Sequence, residues 1–437
     1  MGLNLSKQLL NVKLHIKIVK ESKRGEVEIS LKSEIESRIL DLEHLLSAIK
    51  ISIQQGGGFL VRRRAPNGPI MRERSLEYIH KACWGLYAAG VDHEIIVQIL
   101  DWVAKNALKP NGDFYFDEEN PNYKVLQRVY RPLTFLKVAA WISHTLAGND
   151  QVINRILQYQ HSSGGVFHYI GEDPDKVEEQ PYISSLNTSF FGHLMIALDI
   201  REPAVKAGDW ILNFVKSNED HMRKKGFMYT QMTPEGVLIT DVKPGEKITK
   251  ILNNKDPKQE FWHVGTCMAY LALLYETMIH KWGYSEAAAK PYLEAAIELL
   301  EFEETMPLYT YLWPSKCKVG WGAGELLRVL IKYGKDTNEQ IEEAYRIAKL
   351  VAVFTFMDNQ LPNGGWSCMH YPLDERIPEM YFDYKPLKGM VNVPQKPIPD
   401  SKTIFLPSEE ITGEFLGEMK AIEIGMETLL SHYRELL

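Results

Sequence analysis

The feature that most constrains the fold is a short motif that recurs after segments of helical periodicity. Residues 360–366 read Gln-Leu-Pro-Asn-Gly-Gly-Trp, which is a Gln-x-x-x-Gly-x-Trp pattern. Partial copies occur at residues 54–59, 108–114 and 160–167, and a weaker copy occurs at residues 225–227. An internal repeat of this kind indicates an architecture of similar units, each packed against its neighbours.

Each residue of the motif suits a structural task. A glycine after a helix adopts the left-handed conformation that ends the helix. A glutamine amide can bond to the carbonyl groups that the helix end leaves free. The aromatic residue can pack on the helix that has just ended or on the next unit. The motif therefore predicts structural links between helical hairpins rather than a catalytic site.

Five segments are apolar on almost every side, which is typical of buried helices. They begin near Ser75, Val125, Ser185, Phe261 and Cys317. An amphipathic segment follows each of them, and the segments 33–54 and 412–436 can pair as a sixth hairpin. The sequence therefore predicts an all-α fold, an (α/α)6 toroid with a parallel ring of buried helices inside and half-exposed helices outside.

Two segments do not fit the helical pattern. Residues 1–32 include Val12–Val19, whose alternation of apolar and polar residues favours a short strand. This part is predicted to be an N-terminal appendage beside a single toroid at residues 33–437. Residues 369–408 contain seven prolines, which exclude a regular helix, together with several aromatic residues. We interpret residues 369–408 as an ordered insert over the mouth of the toroid, and a flexible linker is the alternative.

Composition limits the partners and the compartment. The net charge of −7 gives a nucleic-acid partner no electrostatic support. No apolar run approaches the roughly 20 residues that a membrane-spanning helix needs, and the chain does not begin with the apolar core of a signal peptide. The four cysteines form no Cys-x-x-Cys pair. They are predicted to be reduced thiols of a cytoplasmic protein that does not insert stably into membranes.

The repeat motif and the alternation of buried and amphipathic helices resemble the superfamily of squalene cyclases and protein prenyltransferases, which are α/α toroids. The resemblance covers most of residues 33–437 as architecture, and residues 360–366 match the repeat motif in full. The sequence lacks the Asp-x-Asp-Asp motif of one cyclase class, a clear Asp-Asp-x-x-Asp motif of the other, and a convincing set of prenyltransferase zinc ligands. The resemblance therefore implies the toroid and leaves the reaction open.

The strongest catalytic candidates lie where the buried helices begin. Glu260 and His263 are three residues apart, so both side chains can lie on one helical face. A histidine beside a carboxylate suits acid–base catalysis, and a capping glutamate with a core histidine is the structural alternative. Cys317 begins the fifth buried helix and is a candidate nucleophile, metal ligand or small core residue.

Further residues near the helix ends are candidate substrate-binding groups. These residues are Tyr130, Arg131, Asn187, Trp262 and Trp321. Aromatic rings can stabilise a carbocation through cation–π contacts, and they suit a core equally well; the candidates are Trp84, Trp141, Phe190, Trp262 and Trp321. Arg62 and Arg64 belong to an arginine-rich segment that suits a diphosphate or a carboxylate. Part of that segment is expected to be solvated surface.

Mg²⁺ and Zn²⁺ are the candidate cofactors. The acidic loops at residues 113–119 and 172–179 offer carboxylates for Mg²⁺, and solvated charge is the simpler explanation of both loops. Cys317, Cys368 and His370 resemble the Cys, Cys and His zinc ligands of the lantibiotic cyclases, which share the toroid, but their spacing differs. Because no fourth ligand is identifiable, the sequence assigns no metal site.

The sequence favours a lyase or isomerase similar to the terpene cyclases. Its substrate would be a small hydrophobic, isoprenoid-type molecule, converted by acid–base and carbocation chemistry in a central cavity. A carbohydrate hydrolase or lyase is the alternative. It needs two carboxylates that face a cleft, and Glu260 with Asp113 or Glu414 are the candidates. A toroid that binds a protein or peptide without catalysis is the third hypothesis. The substrate, the need for a metal and the oligomeric state are left open.

Overall fold

The computed structural model describes residues 24–65, 76–116, 128–167, 183–242, 250–256, 259–334, 337–367 and 408–437. Twelve α-helices lie in this part of the chain, so the prediction of an all-α fold is confirmed. They are α1 (Arg24–Arg62), α2 (Leu76–Ala88), α3 (His93–Asn106), α4 (Tyr130–Trp141), α5 (Asp150–Leu157), α6 (Ser185–Ala197), α7 (Arg201–Lys225), α8 (Trp262–His280), α9 (Glu286–Glu304), α10 (Cys317–Tyr333), α11 (Asn338–Leu350) and α12 (Glu409–Glu435).

Four short strands, four 3₁₀ segments and one π-helical segment also lie in the described residues. The strands are β1 (Ile183–Ser184), β2 (Phe227–Tyr229), β3 (Gln231–Met232) and β4 (Ile251–Asn253). The strands form two antiparallel pairs, β1 with β3 and β2 with β4. None of the helices in the described ranges has both the length and the apolar character that crossing a membrane requires.

Six helices pack on one another in a cyclic order. The order is α2, α4, α6, α8, α10 and α12, and α12 packs against α2. Neighbours run parallel: Ser185 and Ser189 of α6 meet His263 and Cys267 of α8 in the same order along both helices. We call these six the central helices. They are buried along most of their length, whereas helices such as α3 and α11 bury only one face.

The N-terminal helix differs from its prediction at both ends. It begins at Arg24, so it includes part of the predicted appendage, and it continues through Gly56, Gly57 and Gly58 to Arg62. A Cβ atom on Gly56 would lie 2.7 Å from Leu416 of α12. These glycines therefore permit close helix packing, and the predicted loop copy of the motif at residues 54–59 is wrong. The predicted strand at residues 12–19 and nearly all of the predicted insert at 369–408 lie outside the described residues.

The repeat motif forms the same five-residue turn at four places. The turns are residues 109–113, 161–165, 233–237 and 361–365, and in each the first N–H donates to the fifth carbonyl. The fourth residue is a glycine with φ between 83° and 97°, a conformation that other residues rarely adopt. The glycines thus close the turns rather than cap helices, which corrects the prediction for these copies. Gly226, by contrast, does cap α7 with a φ of 69°.

The glutamine of the motif ties the turn to another helix, as the motif predicted. Gln360 Nε2 donates to the carbonyl of Gly364 (2.9 Å) inside the turn and to the carbonyl of Ser52 (2.9 Å) in α1. Gln160 makes the equivalent pair of bonds. Trp366 is fully buried and donates from Nε1 to the carbonyl of Phe356 (2.9 Å). The motif is therefore a structural link.

Candidate functional site

Three side chains form a hydrogen-bonded line at the N-terminal ends of α6 and α8. Ser185 Oγ lies 2.7 Å from His263 Nδ1, and His263 Nε2 lies 3.3 Å from Glu260 Oε2. Ser185 and His263 are buried, and Glu260 is half-buried. We call Glu260, His263 and Ser185 the relay. The structure thus brings together the two strongest catalytic candidates and adds a serine.

The local sequence explains why Ser185 is available to His263. Two serines begin α6, and Ser184 is the N-cap, because its Oγ accepts the N–H of Leu186 (3.1 Å). The hydroxyl of Ser185 is therefore not used for capping. With a proton on Nε2 held by Glu260, Nδ1 of His263 is the acceptor for the Ser185 hydroxyl. The relay can pass a proton between a hydroxyl group and a carboxylate.

One turn deeper, the same two helices meet through a thiol. Ser189 Oγ lies 3.7 Å from Cys267 Sγ, and both residues are fully buried. Burial raises the pKa of the Cys267 thiol to about 12. The thiol is therefore protonated at neutral pH and is not an activated nucleophile.

A network of paired charges joins α2, α10 and α12. Lys81 Nζ lies 2.8 Å from Glu410 and 2.7 Å from Glu414, and Lys318 donates to the other oxygen of Glu414. Burial by itself lowers the pKa of Lys81, but Glu410, Tyr130 and Glu418 together outweigh it and hold the pKa above its ordinary value. Lys81 is therefore a charged, structural lysine.

Cys317 lies beside this network. Its thiol and the carboxylates of Glu414 and Glu418 have ligand atoms within 4.8 Å of one another. Lys318 Nζ bonds to Glu414 and lies 3.7 Å from Glu418, so an ammonium already supplies the cation that these carboxylates need. Burial raises the pKa of the Cys317 thiol well above its usual range. This donor set does not fit a metal ion, and Cys317 is not a thiolate nucleophile here.

The other metal candidates are placed as follows. Asp113 Oδ2 accepts from Arg155 (2.8 Å) and its Oδ1 accepts from the hydroxyl of Tyr159 (2.9 Å), so this acidic residue fixes the first of the four turns. Residues 117–119 and 172–179, as well as Cys368 and His370, lie outside the described residues.

An aromatic box surrounds a second buried lysine. Lys137 Nζ lies 4.0 Å from the ring centroid of Trp84, 5.1 Å from that of Trp321 and 5.4 Å from that of Phe190. Trp141 adds a fourth ring at 5.0 Å. We call these four rings the box. Burial lowers the pKa of Lys137 to about 7, so a large fraction of this amine is neutral at physiological pH.

His193 adjoins the box. Its ring stacks on Trp321 with the centroids 4.7 Å apart. Burial, together with the charge of Lys137, lowers the pKa of His193 well below its ordinary value. His193 is therefore neutral beside Lys137.

Several predicted substrate-binding residues lie close to these features. Trp321 is a wall of the box, and Tyr130 packs on Phe190 with ring centroids 5.0 Å apart. Trp262 is half-buried, with its ring centroid 6.1 Å from that of His263. Asn187 is buried, and its Nδ2 has no hydrogen-bond partner within the described ranges. Arg131 is buried in α4.

The two predicted anion-binding arginines serve helix packing. Exposed Arg62 donates from Nη2 to the carbonyl of Asn363 (2.8 Å), which lies in the turn at residues 361–365. Half-buried Arg64 donates from Nη1 to Gln98 Oε1 (3.2 Å) of α3. Both bonds fix the end of α1 against its neighbours, which is a different task from the predicted anion binding. Arg72 and Arg74, which belong to the same arginine-rich segment, lie outside the described residues.

Sequence reasoning missed Lys81, Lys137 and His193 as site residues, and it favoured Ser185 as a helix N-cap, a role that Ser184 has in the structure. The two lysines had a detectable signal, because each interrupts an otherwise apolar helix. A charged residue in such a position is buried only at a cost. Nothing local to the sequence shows which of them has a charged partner, since the partners come from other helices.

Comparison with known proteins adds no assignment. No protein-family model matches the sequence, and no curated protein is significantly similar to it. The function is therefore argued from the geometry of the described residues.

Proposed function

We propose that the chain is an enzyme of the lyase or isomerase class that moves protons on a hydrophobic, isoprenoid-type substrate. The observation that carries this proposal is the relay, in which His263 lies between a hydroxyl and a carboxylate. We also propose that the central helices are the inner ring of a six-hairpin (α/α)6 toroid. The cyclic order of their contacts supports that architecture.

The relay gives His263 the role of general base and general acid. Glu260 orients the imidazole through Nε2, and Nδ1 takes a proton from Ser185 or from a substrate group that replaces it. Proton transfer by a positioned histidine contributes about 10²–10⁴-fold to a rate. The proton returns to the substrate from the imidazolium or through the Ser185 hydroxyl.

The aromatic box supports a hydrophobic substrate with a cationic intermediate. Ser185 and Phe190 are five residues apart on α6, which places this wall of the box about 7.5 Å deeper along the central helices than the relay. Aromatic faces stabilise a cation through their quadrupoles.

Deuterium incorporation tests this proposal. The full-length protein is incubated in D₂O buffer with a panel of isoprenoid alcohols and prenyl diphosphates, and products and recovered substrate are analysed by mass spectrometry. Proton transfer labels carbon even where no net conversion occurs. His263→Gln and Glu260→Gln are expected to lower incorporation about 100-fold or more and about tenfold, respectively.

A matched variant controls for unspecific effects. Glu202→Gln removes an exposed ion pair with Lys206 on α7 and is expected to leave incorporation unchanged. Incorporation that survives in His263→Gln would contradict the role of the relay. The absence of incorporation with every member of the panel would contradict the isoprenoid substrate class.

A second candidate function is acyl transfer, because the 2.7 Å contact between Ser185 and His263 is that of an activated serine. A fluorophosphonate probe tests it. Attack of Ser185 Oγ on phosphorus, with the proton passing to His263 and fluoride leaving, would add the phosphonyl group to Ser185. A modified Ser185 peptide that is lost in His263→Gln favours a hydrolase, and an unmodified peptide favours the lyase or isomerase.

The remaining hypotheses gain no support from the site. Asp113 is held by Arg155 and Tyr159, and Glu414 is held by Lys81 and Lys318. A glycosidase would need one of these carboxylates to act opposite Glu260. A purely binding toroid was expected to lack a convergent polar cluster, and the relay is such a cluster.

A further inference from the structure

The environment of Lys137 is unusual for a buried lysine. Its side chain is 2% exposed, and Nζ lies among four aromatic rings. Within the described ranges no carboxylate forms an ion pair with Nζ and no acceptor receives a hydrogen bond from it. Buried ammonium groups are normally paired, because desolvating an unpaired charge is costly.

A second unsatisfied polar atom lies close by. His193 Nε2 is buried and has no hydrogen-bond partner in the described part of the chain. Its ring stacks on Trp321, which is also a wall of the box. An unsatisfied buried polar group destabilises the folded state, and such groups are found at strained and functional sites.

The walls of the box specify the ligand. Trp84, Phe190, Trp321 and Trp141 offer apolar faces and no carboxylate. One wall, Trp141, is 40% exposed and also packs on half-buried Tyr87. The ligand of this site is therefore expected to be apolar, with one polar atom near Nζ.

We propose that Lys137 is a second reactive group in addition to the relay, and that an apolar aldehyde or ketone binds to it as an imine. The nitrogen lone pair of the neutral amine attacks the carbonyl carbon, and one N–H proton passes to the carbonyl oxygen to give a carbinolamine. The carbinolamine then loses its hydroxyl group and the second N–H proton as water. The step needs no oxidant or reductant.

The electrostatics of the site agree with a neutral amine. Burial lowers the pKa of Lys137 to about 7, against the opposing charges of Glu325 on α10 and Glu418 on α12. The remaining titratable neighbour that faces it, His193 on α6, is neutral. An ordinary lysine has a pKa near 10.4, so at pH 7 the neutral fraction of Lys137 is about 10³-fold larger.

Reductive trapping tests the proposal. The full-length protein is incubated at pH 7 with decanal and cyanoborohydride, and modified peptides are quantified by mass spectrometry. Hydride transfer to the imine gives a secondary amine, so the mass rises by that of decanal less one oxygen atom. Lys137 is expected to react at least about tenfold faster than exposed lysines such as Lys206.

Lys316 is an internal control in the same digest. It is also fully buried against two rings, with Nζ 3.9 Å from the centroid of Phe261 and 4.8 Å from that of Tyr311. Unlike Lys137, it is paired with Glu303. Lys316 is therefore expected to be unmodified, and modification of both lysines at equal rates would contradict a site that depends on the unpaired amine.

Two variants and a second probe complete the test. Lys137→Arg keeps a cation that cannot form an imine, and Lys137→Met removes the cation. Both variants are expected to lose rapid trapping at position 137. Their far-ultraviolet circular dichroism spectra are expected to match that of the wild type. Glyceraldehyde, a polar aldehyde, is expected to react at least about fivefold more slowly than decanal, since the box offers apolar contacts. An unmodified Lys137 in the wild type would overturn the proposal, and equal rates for the two aldehydes would overturn the apolar ligand.

Discussion

Lys81 and Lys137 are both buried in the central helices, yet their environments have opposite effects. Lys81 contacts Glu410 and Glu414 and has a raised pKa, whereas Lys137 contacts aromatic rings and has a pKa lowered to about 7. Both side chains are buried. The carboxylates beside Lys81, and the lack of an ion pair at Lys137 among the described residues, account for the opposite shifts of these two pKa values.

The same distinction separates structural from functional acids and bases in this molecule. Glu414 is bound by two lysines and holds three helices together. Glu260 and His263 contact each other and a neutral serine, so a proton can move among them. The paired network is expected to affect stability, and the relay is expected to affect catalysis.

The largest effect is expected where the paired network is broken. Glu414→Ala leaves Lys81 and Lys318 without a shared carboxylate, and removing one partner of a buried ion pair costs about 3–5 kcal/mol. Urea denaturation measures the free energy of unfolding. The control is Glu427→Ala, which removes an exposed pair with Lys50 and is expected to cost about 1 kcal/mol or less. If the two variants lose the same free energy of unfolding, the paired network is not desolvated.

The next prediction concerns Lys137, whose replacement is expected to increase stability by an amount that depends on pH. Because the pKa of Lys137 is about 7 in the folded state and about 10.4 when unfolded, the unfolded state binds more protons between these values, and stability rises with pH. Lys137→Met removes this dependence. The variant is expected to be about 1–4 kcal/mol more stable than the wild type at pH 6, and the difference is expected to shrink towards pH 10.5.

Thermal denaturation across this pH range checks the Lys137 prediction. Lys81→Met serves as the matched comparison, because the pKa of Lys81 is higher in the folded state than in the unfolded state. Charged Lys81 therefore stabilises the folded state fully below about pH 10. Lys81→Met is therefore expected to destabilise the protein at pH 6. If both lysine variants shift stability in the same direction, the contrast between the two lysines is wrong.

A smaller effect is expected for Glu418. Burial raises the pKa of its carboxyl, with Lys318 opposing the shift. A carboxyl whose pKa is raised on folding makes the protein less stable as pH rises through that range. Glu418→Gln mimics the neutral acid, so its stability relative to the wild type is expected to be higher at pH 7 than at pH 4. If the variant and the wild type differ in stability by the same amount at pH 7 and at pH 4, Glu418 is an ordinary ionised carboxylate.

Periodicity predicted the helices well where apolar residues alone decide the structure. The segments that begin near Ser185, Phe261 and Cys317 are helices within one or two residues of the predicted bounds. Glycine misled the prediction at residues 56–58, because these residues stay helical where Gly56 packs closely on Leu416 of α12 and Gly57 packs closely on Ala89. The turn at residues 233–237 was missed, since it keeps the glycine of the motif but lacks its glutamine.

The candidate site was predictable only within single helices. Glu260 and His263 lie three residues apart, so helical geometry alone places them together. Ser185 joins them from a segment that is 78 residues away in the sequence. Lys137 and the rings around it come from α2, α4, α6 and α10. Only their packing shows that no carboxylate of the described residues forms an ion pair with this lysine.

The most direct test of the contrast between paired and unpaired charges is an NMR titration of the lysine side chains in the folded protein. With ¹³C-labelled lysine, one Cε resonance is expected to titrate near pH 7 and to disappear from the spectrum of Lys137→Arg, while the Lys81 resonance stays that of a charged amine up to pH 10. If every lysine resonance titrates near pH 10, Lys137 is an ordinary ammonium and the account of the aromatic box is wrong.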